Sequence, residues 1–185
     1  RGVASWLRKR IDQGLRVIPI SLNVSRVDIL ACDVAEHMGA LAAQYNLPPE
    51  LMRIEITETA YTGESEAVDK LTADLHNQGF STYMDDFGTG QSTLAMLKNV
   101  NIDVIKLDRT FLPDGKTDNR SSQIVSSMLE MAQSLHLPVV VEGIETNEQA
   151  QLLRQMGARY AQGFLYHRPM PAKDFEALLD TADNN

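Results

Sequence analysis

The chain has 185 residues, 43% of them hydrophobic and 23% charged, which is enough for one globular core. A formal net charge of −8 argues against a nucleic-acid polymer held on a basic surface, although metal ions and a few fixed cations can still hold an anionic ligand. The single cysteine, Cys32, excludes an internal disulfide and suits a reducing, cytoplasmic setting. No apolar run approaches the roughly 18–20 residues of a membrane span, so no membrane contact is expected from this domain. The chain opens on Arg1 without a signal peptide and is read as part of a longer protein, such as the cytoplasmic portion of a sensor.

Short β-branched runs alternate with stretches of helical period. Residues 16–24 read as the first strand, with Val17, Ile20 and Leu22 among its apolar positions. Residues 33–45 then read as a helix with Val34, Met38, Leu41 and Ala42 on one face. Pro48-Pro49 breaks the chain before a second strand over 51–57. Ser65 is the expected cap of the next helix, whose apolar stripe is Val68, Leu71 and Leu75 and whose stop is Gly79. The third strand covers 80–85 and a short helix 92–98. The fourth strand covers 103–108, a long helix 121–136 and the fifth strand 139–141. Asn147 is the expected cap of a helix ending near Gly157. A short sixth strand covers 160–164, and Pro171 opens a last helix over 173–180.

Six β/α units with no linker or composition break predict a parallel sheet. Each strand carries polar residues at its C-terminal end: Asn23, Glu55, Asp85 with Asp86, Lys106 with Asp108, Glu142, and Gln162. An open doubly wound sheet concentrates its site at one switch point, whereas a barrel gathers strand ends around one rim. The pattern therefore predicts a (β/α)8 TIM-like barrel. Six strands are too few to close one, so the fold is expected to be incomplete at its N-terminus.

Two adjacent carboxylates, Asp85 and Asp86, repel each other unless positive charge lies between them, and a divalent metal ion supplies it. Asn23, Glu55, Asp85, Asp86 and Glu142 offer oxygen ligands only, a set suited to Mg²⁺ or Mn²⁺ over zinc. With Asp85 shared between two ions and Asp86 on the second, the set reads as a two-metal hydrolytic centre acting on a phosphate ester. Lys106 fits stabilisation of transition-state charge; Glu142 and Gln162 fit either ligation or orientation of the attacking water. Any one of these residues alone is more simply a cap or turn residue. Six falling at the same end of six consecutive strands is hard to produce by chance. Asp86-Phe87-Gly88 matches a kinase triplet without the motifs that should accompany it. The four histidines lack ligand spacing, and Cys32 reads as a small packing residue.

Together, Ser21-Leu-Asn-Val-Ser25, Glu55-Ile-Thr-Glu58, Asp85-Asp-Phe-Gly-Thr-Gly90, Ile105-Lys-Leu-Asp108, Val141-Glu-Gly-Ile-Glu145 and Gln162-Gly-Phe-Leu-Tyr-His-Arg-Pro169 resemble the EAL-domain family of cyclic di-GMP phosphodiesterases. The resemblance runs from about Trp6 to Leu179, and the whole chain, 1–185, is read as one such domain, truncated at its N-terminus. It implies a (β/α)8 barrel with one antiparallel strand, and metal-dependent hydrolysis of cyclic di-GMP to linear pGpG in bacterial signalling. By motif, Asn23, Glu55 and Asp85 resemble ligands of a first metal and Asp86 of a second. Lys106, Glu142 and Gln162 resemble groups that position water and stabilise the transition state. Glu58 resembles the residue holding the loop after Asp86, while Asp108 and Glu145 match further acidic positions. The resemblance also implies a homodimer paired through the region after the Asp-Asp loop. Two departures stand out: Gln91 replaces a common aromatic, and the strand bearing the Glu-Ala-Leu motif, whose Glu is a metal ligand, is not in this sequence. A receptor that holds the dinucleotide without cleaving it is the rival reading. A protein-interaction domain that binds no nucleotide is a third.

Overall fold

The computed structural model describes residues 1–63, 65–89, 97, 101–113 and 119–181. Gln91 and, apart from the buried Leu97, the helix expected over 92–98 lie outside them. Six parallel strands run in simple sequential order: β1 (Ile20–Val24), β2 (Met52–Thr57), β3 (Ser81–Phe87), β4 (Val104–Leu107), β5 (Val139–Val141) and β6 (Tyr160–Ala161). Neighbours in sequence are neighbours in the sheet, as in an arc of a (β/α)8 barrel. The antiparallel strand implied by the resemblance is not among these six.

Helices α1 (Gly2–Asp12), α2 (Arg26–Ala31), α3 (Val34–Gln44), α4 (Glu58–Gly63), α5 (Ser65–Asn77), α6 (Asn119–Ser134), α7 (Asn147–Gln155) and α8 (Ala172–Thr181) join or flank the strands. The first strand is shorter than its apolar run suggests: it starts at Ile20, just after Pro19, which has no N–H to give a ladder. Helix α7 is capped by Thr146, not Asn147, because Thr146 and Gln149 form a reciprocal capping box. Ser65 is the first residue of α5 rather than a residue ahead of it. Helices α1, α2 and α4 have no counterpart in the sequence reading. In α1 only Ala4, Leu7 and Arg10 are buried, too narrow a stripe to register as a hydrophobic face. Arg10 is nonetheless inside, with Nε donating to the Arg16 carbonyl at 2.9 Å and the guanidinium paired with Asp180 of α8. Trp6 Nε1 adds a 2.6 Å bond to Glu176 Oε1, so α1 docks on α8.

Alternation along the strands separates two faces. Val24, Met52, Ile54, Ile56, Met84, Ile105, Leu107 and Val141 are buried against Val68, Leu71 and Leu75 of α5, Val125 and Leu129 of α6, and Leu153 of α7. The opposite face carries Asn23, Glu55 and Tyr83 in register across β1, β2 and β3. Core and polar face thus come from one period-2 pattern. Cys32 is exposed at the end of α2 rather than packed, its Sγ 3.4 Å from the Asp28 carbonyl. His76 is half-buried, its Nε2 2.9 Å from Asp103 Oδ2, which ties α5 to the start of β4.

Gly163 lies where two backbones cross. A Cβ there would sit 2.1 Å from the Ile144 carbonyl oxygen and 2.2 Å from its nitrogen, and neither can swing away. Gly163→Ala is expected to destabilise the fold by about 2–3 kcal/mol, the range for forced overpacking. Urea denaturation measures it, and a loss below about 0.5 kcal/mol, ordinary for a surface change, would show that the crossing yields freely.

Candidate active site

Lys106 projects from the last-but-one position of β4 on the polar face and is 6% exposed. Its ammonium is the centre of the site. It donates to Glu55 Oε2 of β2 at 2.7 Å and Asp85 Oδ1 of β3 at 2.8 Å, and lies 2.9 Å from Glu142 Oε1, one residue beyond β5. Three carboxylates from three strands thus converge on one cation. Burial alone would lower the Lys106 pKa, but the bonds to Asp85, Glu55 and Glu142 outweigh it and hold the group well above its ordinary value. The ammonium is thus held inside the cluster and not in water.

Asp86 joins them through a bulge. Between the pairs Met84↔Ile105 and Phe87↔Leu107, β3 spends one residue more than β4, so Asp85 and Asp86 together face Lys106. Without the bulge, adjacent strand residues would point to opposite faces. Asp86 takes up the irregularity with φ +56, and its N–H donates to Asp85 Oδ1 at 3.1 Å. Carboxylate oxygens of Asp85, Asp86 and Glu142 all lie within 4.8 Å of one another.

Four carboxylates around one ammonium leave an excess of negative charge. Desolvation and then the charges of Asp85 and Asp108 push the Asp86 carboxyl above the usual range. Desolvation also raises Glu142, with Asp85 and Glu55 adding to it against the pull of Lys106. Burial is the first cause of both shifts, and the neighbouring carboxylates add to it. An oxygen-only donor set with surplus negative charge fits a hard divalent cation. Asp85, Asp86 and Glu142, with Glu55 beside them, are the residues that could hold it.

Glu58, at the start of α4, is fully buried and accepts from the Gly88 N–H at 2.6 Å, pinning the segment after Asp86. Removing that acceptor in Glu58→Ala is expected to weaken Mn²⁺ binding and activity about 10–100-fold, as for other groups that orient metal ligands. Calorimetric Mn²⁺ titration reads the effect, and unchanged affinity would exclude a role in placing Asp86.

Asn23 is the register partner of Glu55 and exposed; Gln162 is also exposed, its backbone pairing with Val141 and Ile144 on either side of Glu142. Asp108 accepts from the Thr110 N–H at 2.8 Å; burial would raise its pKa, but this bonding lowers it overall. Its charge is nevertheless felt at Asp86. Glu145 stands exposed at the head of α7, and no described contact joins it to the cluster. Two glycines let neighbouring side chains approach: Gly88 (φ +95) against Phe111 and Gly143 (φ +74) against Arg109. The sequence marks Gly88 as part of the turn that follows the two carboxylates, whereas Gly143 carries no signal beyond following Glu142.

Comparison with known proteins agrees with this geometry. The family model described as EAL domain matches residues 2–169. Cyclic di-GMP phosphodiesterase RocR of Pseudomonas aeruginosa is 37% identical over 168 residues, covering 91% of this chain and 43% of RocR. The chain spans less than half the length of the curated relatives it matches. Among solved structures, the EAL domain of Mycobacterium smegmatis DcpA superposes with a TM-score of 0.88 at 30% identity, over 96% of this chain and 80% of that one. Klebsiella pneumoniae BlrP1, solved with calcium and cyclic di-GMP, gives 0.80 at 28% identity, over 90% and 42%. By sequence and by structure, this chain belongs to the EAL domain family.

Proposed function

We propose that this chain, as one domain over residues 1–185, hydrolyses cyclic di-GMP to linear pGpG with Mg²⁺ or Mn²⁺, held as a pair of ions. The observation that carries this reading is the convergence of Glu55, Asp85 and Glu142 on Lys106, with Asp86 beside them, at one rim of a parallel sheet. When bound, such ions polarise a phosphate ester and lower the pKa of attached water. Asn23, Glu55, Asp85, Asp86 and Glu142 are assigned to the ions. The chain's own part is to place charge. Lys106 keeps its proton and faces the phosphate oxygens as they gain charge. Glu142 and Gln162 orient the water that opens one of the two phosphodiester bonds, and Glu58 keeps the Asp86 segment in place. Asp108 and Glu145 add negative charge at the edge. RocR, by its name, acts on cyclic di-GMP, and the BlrP1 structure contains the dinucleotide with a divalent cation. A cytoplasmic location and homodimer pairing complete the reading. The unpaired Cys32 suits the first, and no described helix is long and apolar enough to cross a membrane.

The test is incubation of the chain with cyclic di-GMP and Mn²⁺ or Mg²⁺, beside Asp85→Asn and beside a chelator. Conversion to pGpG that both controls abolish is the expected result. Dinucleotide that binds and stays intact would replace the enzyme by the receptor reading.

A further inference from the structure

The short turn Arg109–Phe111, one residue after β4, is wedged between the two backbone segments that carry the clustered carboxylates. On one side its Phe111 ring lies against Gly88, two residues past Asp86: a Cβ at Gly88 would meet Phe111 Cε2 and Cζ at 2.5 Å. On the other side its Arg109 Cβ lies against Gly143, the residue after Glu142, where an added Cβ would come within 2.3 Å. Both glycines have positive φ, +95 and +74, so a side chain is resisted there by backbone conformation as well as by space. The turn is itself fixed. Asp108 caps it through Thr110, and Met128 of α6 closes in on the same place, its Cε 3.2 Å from where a Gly88 Cβ would lie.

We propose that this turn is a brace for the active site, with Phe111 as its positioning residue. Glu58 holds the Gly88 N–H from one side, and a single hydrogen bond fixes one direction only. The Phe111 ring blocks the sideways movement that remains. Held by both, the segment keeps Asp86 at φ +56 and its carboxylate beside those of Asp85 and Glu142. Arg109 against Gly143 does the same for the Glu142 arm. Because the turn continues β4, the strand that bears Lys106 also sets the spacing of the carboxylates around it. The brace deepens the metal-site reading and rests on it.

The experiment compares wild type, Phe111→Ala and Phe111→Leu in the full chain. Amide exchange at Gly88 is followed by NMR, Mn²⁺ affinity by calorimetry, and kcat and KM for cyclic di-GMP separately. In Phe111→Ala the Gly88 amide is expected to exchange faster while those of Met52–Thr57 keep their protection, because only local opening is made easier. Mn²⁺ affinity should fall about tenfold, in the range for groups that orient ligands, with kcat falling and KM nearly constant. Phe111→Leu, which refills most of the space, should recover most of each loss. Unchanged Gly88 exchange and Mn²⁺ affinity in Phe111→Ala would overturn the brace. So would equal acceleration at Gly88 and along β2, which would make Phe111 a general core residue. A wild-type chain that binds Mn²⁺ but leaves the dinucleotide intact would sink the phosphodiesterase reading alone, and the Gly88 and Mn²⁺ readouts would still decide the brace.

Discussion

Lys106→Met is expected to lower stability by about 3 kcal/mol, the low end of the cost of leaving buried charges without their partner. The low end applies because the side chains of Asp85 and Glu142 keep 16% and 18% of their exposure. With the ammonium gone, Glu55, Asp85 and Glu142 face one another and Asp86 with nothing positive between them. For a domain of this size the melting temperature should fall by about 6–12 °C. The pH dependence follows from the signs. Lys106 has a raised pKa, so its contribution is whole below the unfolded lysine value of about 10.4 and is lost only as pH rises above it. The raised carboxyls of Asp86 and Glu142 slope the same way in a lower pH range: ionised they oppose folding, and the folded state gains as pH falls through their folded values. The deficit of Lys106→Met should therefore shrink on going from about pH 8 to about pH 5. Mn²⁺ should bind at least as tightly as to wild type, because a competing cation has gone, while kcat falls about 10²–10³-fold. Thermal melts at the two pH values and a Mn²⁺ titration check these points. Loss of Mn²⁺ affinity in step with activity would show that Lys106 acts by holding the carboxylates in place rather than by its charge.

Asp85→Asn should separate folding from chemistry. The amide keeps the oxygen that accepts from Lys106 and from the Asp86 N–H, so shape and hydrogen bonding survive. One ionic bond to Lys106 is weakened, but the repulsion that helps raise Asp86 is also removed. Net stability is expected to stay within about 1 kcal/mol of wild type, since the two changes oppose each other. Mn²⁺ affinity should drop about 100-fold and hydrolysis about 10³-fold or more, because a neutral amide is a poor ligand for a hard cation and the site loses the charge that gathers it. Melting curves, calorimetry and product analysis together test this. Hydrolysis kept within about tenfold of wild type would remove Asp85 from the metal set.

Much of this site was legible from residues alone. The stretch 80–85 reads as an apolar strand that runs into the two carboxylates, and β3 is that strand, carried on to Phe87. Glu55, Lys106 and Glu142 sit where alternation puts them, on the polar face at the ends of β2, β4 and β5. The bulge was not legible. Nothing in Met84-Asp85-Asp86-Phe87 announces that β3 holds one residue too many, since a bulge is defined only against the register of the partner strand. Helix α1 escaped because its buried residues include Arg10, which is inside only because Arg16 and Asp180 satisfy it there. The brace at Phe111 escaped for the same kind of reason. A phenylalanine after a strand looks like ordinary core until Gly88 is found under its ring.

By itself the sequence determined the order and type of the strands, the division into an apolar and a polar face, and the acidic character of the strand ends. Each is written in a window of a few residues, where period 2 and turn residues act locally. Only the tertiary structure decided that Lys106 meets Glu55 and Asp85, 51 and 21 residues away in sequence, and Glu142 within 3 Å. It also decided that Asp86 turns to the same side as Asp85. The reason is that parallel pairing of sequential strands brings distant strand ends to one rim, and the distances across that rim depend on register, bulge and packing between strands.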